Sequence, residues 1–292
     1  MSDYNIECPP IRLFGIPRLF MGLSSPSPRI KPYVYAYYFL QDLDGMLAGI
    51  PIRTTPLPGG ILTIHLGRPS ITESGRSAPQ VSLFGPQTNA RNWLSTPDSY
   101  VVLAMLTPIG QARLFPEVGP HGTDQQLDIN FIMERRNSDE LLELSLAAWH
   151  PNKIATVLER WLIARLEKIV SPVPLAQMST AYEVLRMGGT VSQAATASNV
   201  TRRQVHRWFT NYVGVSPKQI GDLERLQLSV KAVQKQGADP TFRFSDQAHQ
   251  IRSWKRYIGI TPGFYSKKKK SIMSDFFNNP PNALSGAPTF YL

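Results

Sequence analysis

The chain has 292 residues, 42% of them hydrophobic, enough for two domains with cores of their own. Its formal charge of +10 and pI of about 9.8 favour an anionic partner. The single cysteine, Cys8, excludes an internal disulfide framework and a Cys-based metal site. No apolar run approaches the roughly 20 residues of a membrane span. The opening Met1-Ser-Asp-Tyr-Asn-Ile-Glu7 lacks the basic-then-apolar order of a signal peptide. The expectation is a soluble cytoplasmic protein with no membrane partner.

The charge is unevenly placed. Residues 1–171 carry 15 basic and 15 acidic side chains, whereas 172–292 carry 16 basic and 6 acidic ones, so the whole excess lies in the second half.

In chain order, residues 1–32 are rich in Pro, Ser and Arg and read as an irregular arm. From Tyr33 to Leu106 the signals are those of β structure. Tyr33–Leu40, Ile61–Leu66, Gln80–Phe84 and Ser99–Leu106 are the candidate strands, punctuated by Pro58-Gly-Gly60 and Gly85-Pro86. Short strands at this spacing suggest a barrel or sandwich. Helical patterns follow over Ile109–Phe115, Asp139–Trp149 and Asn152–Val170. The broad apolar face of the last (Ile154, Val157, Leu158, Trp161, Ile163, Leu166) suits either a core or a dimer seam. Ser171-Pro-Val-Pro174 is the best linker, and it falls where the charge balance changes.

Beyond the linker, Ala176–Met187 reads as a helix stopped by Gly188-Gly189. Val191, Ala194, Ala195 and Ser198 then line one face of a short helix, with small side chains that let a second helix cross closely. Asn199 stands at the break and tolerates the left-handed backbone of a tight turn. Thr201 is placed to cap the next helix, 202–212. There Val205, Trp208, Phe209 and Tyr212 form an apolar stripe at i, i+3, i+4, i+7, and Arg203, His206, Arg207 and Thr210 repeat that spacing on the opposite side. Helix, turn and capped basic helix is the order of a helix-turn-helix, whose second helix enters the DNA major groove; an ordinary helical hairpin would need no basic outer face. A long helix from Lys218 to Gln236 follows. Residues 244–262 then repeat the logic, with Ala248, Ile251, Trp254 and Ile258 as the apolar side and His249, Arg252 and Arg256 as the polar one. Both copies close alike, Val213-Gly-Val-Ser-Pro217 beside Ile258-Gly-Ile-Thr-Pro262.

These residues together resemble the DNA-binding domain of AraC/XylS-type bacterial transcriptional regulators, over about residues 176–265. The resemblance rests on Val191-Ser-Gln-Ala-Ala195 and Val200–Phe209 in the first unit, and on Gly214-Val-Ser-Pro-Lys218 and Arg225-Leu-Gln-Leu228 in the connector. In the second unit it rests on Asp246–Arg252 and Gly259-Ile-Thr-Pro-Gly-Phe-Tyr265. It implies two helix-turn-helix units joined by one long helix. The family's base-reading positions fall on Arg203, His206 and Arg207, and in the second unit near Gln247, Ala248, His249 and Arg252. Two departures weaken the second unit: only seven residues, 238–244, stand where its scaffold helix belongs, with Arg243 in place of a glycine, and Gln250 replaces an aromatic residue. Pro58-Gly-Gly60, Phe84–Thr88 and Leu106–Ala112 resemble, more loosely, the effector domains attached to such regulators.

The expected architecture is therefore α+β with two domains: a β-rich barrel or sandwich with flanking helices over 1–171, an all-α double helix-turn-helix with a truncated second unit over 175–270, and an irregular tail over 271–292. The expected function is sequence-specific binding of double-stranded DNA by a homodimer, controlled through the first domain by a small-molecule effector. Arg203, His206, Arg207 and Thr210 would face bases or phosphates, Arg202 and Lys218 phosphates, and Gln247, His249, Arg252 and Arg256 would assist. Lys267–Lys270 is either a solvated run or a source of further phosphate contacts. The alternatives are a first domain that meets a protein partner and a sequence-tolerant DNA-packaging protein. No enzyme or cofactor is expected. His65, His121, His150, His206 and His249 make no metal-ligand spacing, and neither a phosphate loop nor a nucleophile elbow is present. His65 reads best as a satisfied core histidine.

Overall fold

A computed structural model describes residues 19–235, 243–268, 270–278 and 287–292. The first half opens with β1 (Leu19–Ser24), β2 (Val34–Asp42), β3 (Pro51–Thr54), β4 (Ile61–His65), β5 (Val81–Phe84), β6 (Arg91–Leu94) and β7 (Ser99–Leu106). It continues through α1 (Pro108–Leu114), β8 (Gln126–Asp128), α2 (Arg135–Ala148) and α3 (Pro151–Lys168). The second half comprises α4 (Leu175–Arg186), α5 (Val191–Ala197), α6 (Arg202–Trp208) with a π-helical turn over Phe209–Val213, α7 (Pro217–Gln234), α8 (Gln247–Tyr257), α9 (Pro262–Lys267) and α10 (Ile272–Phe277).

The protein is α+β. Six antiparallel strands pair in the order β1-β2-β7-β4-β5-β8, and β3 and β6 form a separate two-stranded sheet. Both faces of the large sheet are covered, which is why β2 is apolar nearly throughout rather than alternating. Tyr37 and Phe39 point with Leu62, Ile64 and Val102 towards Leu141, Ile154, Leu158 and Leu162 of α2 and α3. Their neighbours Ala36, Tyr38 and Leu40 point the other way, with Ile61 and Leu103. The two sheets face each other across a small cavity lined by Leu40, Thr63, His65 and Val101 on one side and Ile52, Thr54 and Trp93 on the other.

Several expectations change. The stretch read as part of an irregular arm contains β1, which pairs with β2 along its whole length, Leu19 opposite Asp42 and Ser24 opposite Tyr37; residues 1–18, with Cys8, lie outside the described residues. The strands β3, β6 and β8 (Pro51-Ile-Arg-Thr54, Arg91-Asn-Trp-Leu94 and Gln126-Leu-Asp128) are short and mostly polar, so no apolar run announces them in sequence. The apolar face of α3 is spent on this chain's own core, Ile154, Ala155, Leu158 and Leu162 all being at most 1% exposed. A dimer seam along 152–170 would have to use its other side.

The tail is also not irregular. Its α10 is capped by Ser271, whose hydroxyl accepts the N–H of Ser274 at 3.1 Å. Met273, Phe276, Phe277, Phe290 and Tyr291 complete the core on the second face of the large sheet. Among the Asn, Pro and Gly of 278–288 these apolar residues show no period, and their partners lie some 250 positions earlier.

Candidate nucleic-acid interface

The α4–α5–α6 unit owes its shape to local chemistry. Thr190 and Gln193 form a reciprocal capping box at the start of α5. Ala194, Ala195 and Ser198 are buried, the Ser198 hydroxyl donating back to Ala194 O at 2.6 Å. Asn199 turns the chain at φ +53°. Thr201 then caps α6, its hydroxyl accepting the N–H of Gln204 at 3.1 Å, worth about 1 kcal/mol.

The aromatic back of α6 is buried as its spacing requires, with Val205, Trp208 and Phe209 at most 2% exposed and Tyr212 half-buried. The opposite side is open: Arg202, Arg203, His206 and Arg207 are exposed, and so is Thr210 in the π turn. That turn widens the end of the helix and is closed by the N–H of Gly214 donating to Phe209 O at 2.9 Å. Lys218 is exposed in the first turn of α7, where the positive end of the helix dipole disfavours a cation but favours a phosphate beside it.

The second unit differs from expectation in detail. Of the shortened scaffold segment 238–244, residues 238–242 lie outside the described residues. Arg243, in place of a glycine, does adopt the left-handed backbone at φ +65°. The face of α8 that is buried runs through Gln250, Trp254 and Tyr257, with Ile258 behind it. Ala248 is exposed, so the apolar side expected to run through it is turned towards Gln250 and Tyr257 instead. Gln250 fits where an aromatic side chain was expected because Ser229 of α7 accepts from both Gln250 Nε2 and Trp254 Nε1, each at 2.9 Å.

Gln247, Arg252 and Arg256 are exposed on α8, together with Lys255, which the sequence pattern did not single out. His249 is half-buried, edge-on to Phe244 at 5.3 Å and 3.1 Å from the Ser245 hydroxyl, so it is less free than its neighbours. In the lysine run, Lys267 is exposed and Lys268 rests 4.9 Å above the Phe264 ring. Lys270 instead caps α7, its Nζ donating to Gln234 O at 3.0 Å, and Lys269 lies outside the described residues. The structure thus gathers Arg202, Arg203, His206, Arg207 and Thr210 on one element and Gln247, Arg252 and Arg256 on another.

The first unit is seated on the β-rich half. Its core includes Ile109 and Ala112 of α1, and Thr123 Oγ1 donates to Gly214 O at 2.8 Å. At the same seam Tyr35 of β2, Tyr182 of α4 and Glu224 of α7 form a hydrogen-bonded chain: the two hydroxyls are 2.6 Å apart, and Tyr182 donates to the Glu224 carboxylate at 2.5 Å. Burial raises the Glu224 pKa to about 7, against the opposing pull of the Tyr182 hydroxyl and Arg186. Nothing in the sequence marks Glu224, because the group that encloses it comes from three separated segments.

The cavity between the sheets is also invisible in sequence. It measures about 70 Å³, room for a few waters. Among the described residues Thr54 Oγ1, His65 Nδ1, Gln87 Oε1 and Gln126 Oε1 line it without a hydrogen-bond partner. His65 is therefore buried as expected but not fully satisfied. Burial lowers its pKa to about 4, so it is neutral at pH 7. No cluster of three or more metal-ligating side chains exists among the described residues. No helix among them is long and apolar enough to cross a membrane.

No protein-family model matches the chain, and no curated protein matches it either. Its structural neighbours include ToxT from Vibrio cholerae, at 10% identity over 79% of this chain and 96% of that one, with a TM-score of 0.42. The unsaturated-fatty-acid-bound form of ToxT matches at 9% identity over 79% and 93%, with a TM-score of 0.42. The AraC-like transcriptional activator CuxR matches at 12% identity over 75% and 78%, with a TM-score of 0.19. Similarity at this level says nothing of what this chain binds.

Proposed function

We propose that the chain is a sequence-specific, DNA-binding transcription regulator of the AraC/XylS type, acting as a homodimer. Its α4–α5–α6 unit serves as the principal helix-turn-helix, and the weaker unit around α8 assists. The observation that carries this reading is α6 itself: a capped helix with Val205, Trp208 and Phe209 buried on one side while four cationic or potentially cationic side chains face outward on the other. Arg203 and Arg207, one turn apart, suit bidentate contacts to guanine O6 and N7. Arg202 and Lys218 suit phosphates, which set position without reading sequence.

The test is binding to duplexes selected from a random pool, measured by fluorescence anisotropy across a range of salt. Arg207→Ala should cost about 1–3 kcal/mol on the selected site and far less on scrambled DNA. Replacing Lys267 and Lys268 with alanine should weaken all duplexes alike and flatten the salt slope by up to about 0.9 for each phosphate no longer neutralised. Equal weakening of selected and scrambled DNA by Arg207→Ala would reject base reading and favour sequence-tolerant packaging.

The β-rich half is read as the effector domain. Among the described residues the cavity between its sheets is lined by no lysine or arginine, and the histidine that lines it, His65, is neutral at pH 7. Its unpartnered carboxamide oxygens, among the described residues, call for donors, and the neutral imidazole pairs with a donor or an acceptor according to its tautomer, so it suits an uncharged molecule carrying hydroxyl or amide N–H groups. At about 70 Å³ it is well below the roughly 300 Å³ of an ordinary ligand pocket. An effector therefore requires the cavity to enlarge.

A further inference from the structure

We infer that residues 287–292 form a removable internal plug, which stops the mouth of that cavity and pins the second helical unit to the β-rich half. The backbone of this segment extends the small sheet. Thr55 N–H donates to Phe290 O at 2.8 Å, Leu292 N–H donates to Arg53 O at 2.9 Å, and Tyr291 bridges Thr54 in antiparallel register. This is the geometry of a peptide added to a free strand edge, held by main-chain bonds and by side chains in pockets. Phe290 and Tyr291 supply the side chains, both walling the cavity and both at most 5% exposed. Tyr291 stacks on Phe277 at 4.9 Å and meets Tyr38 edge-on at 6.4 Å.

The same six residues are tied to α7. Gln227 accepts the Thr289 N–H at 2.8 Å while its Nε2 donates to Thr55 Oγ1 at 2.8 Å, so one side chain reads the tail and the sheet together. Gln234 Nε2 reaches Tyr291 O at 3.3 Å and the Tyr265 hydroxyl at 2.6 Å. Leu292 packs with Leu223, Leu226, Val230 and Trp254, in the core that carries α8. Withdrawing the tail would remove a wall from the cavity and a tether from α8 in one movement.

The plug is apolar, whereas Thr54 Oγ1, His65 Nδ1, Gln87 Oε1 and Gln126 Oε1 beneath it lack partners among the described residues. Water fits there, so a ligand that replaced the plug and paired with these groups would displace that water. That last consequence rests on the effector reading above; the plug itself does not.

The test folds the full chain with a protease site inserted within 279–286 and cuts it afterwards. A fluorescent synthetic peptide of residues 287–292 should then exchange into the cut protein and bind saturably. The same peptide with Phe290→Ala and Tyr291→Ala should not bind. Washing the tail away should raise amide exchange in β3 and α8 at least about tenfold while leaving α4–α6 unchanged, and added peptide should reverse it. Failure of the labelled peptide to bind at about 1 mM, or unchanged exchange in α8, would overturn the proposal. If the washed protein unfolds, the uncut chain still decides. The Thr55 and Leu292 amides should open independently, about 100-fold faster than those of β7; equal rates would make the tail ordinary core and end the proposal. None of these measurements involves DNA, so their outcome is separate from that of the anisotropy experiment.

Discussion

Gly214→Ala should destabilise the protein by about 3 kcal/mol or more, measured by denaturant unfolding, because two penalties add at one position. Gly214 closes the π turn after α6 at φ +107°, where an L-residue is strained by roughly 1–2 kcal/mol. A Cβ there would also lie 2.5 Å from Thr123 Oγ1 and 2.7 Å from Gly119 O, closer than such atoms approach. The seam must part or the turn must unwind, and either breaks the bond from Thr123 to Gly214 O. Gly119→Ala should behave alike from the other side, since its Cβ would fall 2.2 Å from Asn211 O at φ +39°. Gly188→Ala separates the two penalties: its φ is +88° but nothing lies within 4 Å, so it should cost only about 1 kcal/mol. Equal losses at Gly188 and Gly214 would mean that the first helical unit does not press on the β-rich half as described.

The second large effect is pH-dependent. Glu224 has its pKa raised from 4.5 to about 7, chiefly by burial. The folded chain therefore holds this proton more tightly than the unfolded one, and the stability so gained is complete below pH 4.5 and lost as pH rises through about 7. The loss amounts to at most about 3.5 kcal/mol at roughly 1.4 kcal/mol per unit. The carboxyl accepts from Tyr182, and Glu183, Arg186 and Arg243 act on it electrostatically; Lys31 and Lys231 line the same cleft, of about 390 Å³.

Glu224→Gln keeps the acceptor for Tyr182 and removes the charge. It should leave stability near pH 4.5 unchanged and raise it at pH 8 by up to about 3.5 kcal/mol. His65 pulls the other way: its lowered pKa gives stability present above 6.5 and lost as pH falls through about 4. That contribution is common to both proteins and cancels in their difference. A difference that stays flat from pH 4.5 to 8 would show that the carboxyl of Glu224, half-buried at the cleft, is not desolvated by its neighbours.

The first helical unit is legible in the amino-acid order almost to the residue. Every signal there is local: small residues on α5, a left-handed Asn199, a hydroxyl cap at Thr201, and apolar and cationic stripes on opposite sides of α6. Helix periodicity and capping act within a few residues, so one short stretch contains them whole. The same holds for the strands β2, β4, β5 and β7, whose composition alone marks them.

Other features exist only once the chain has folded. Without its pairing to β2, Leu19–Ser24 is only six residues between prolines. Residues 272–277 and 287–292 look like a tail, because the sheet face that buries their aromatic rings was laid down by strands far earlier in the chain. On α8 the buried stripe depends on Ser229 accepting from Gln250 and Trp254, so an apolar count misplaces it. The seam at Gly119 and Gly214, the raised pKa of Glu224 and the unpaired polar groups of the cavity all depend on desolvation by segments distant in sequence. Burial is a property of the assembled fold, and periodicity can show that a side chain seeks cover without showing what will cover it.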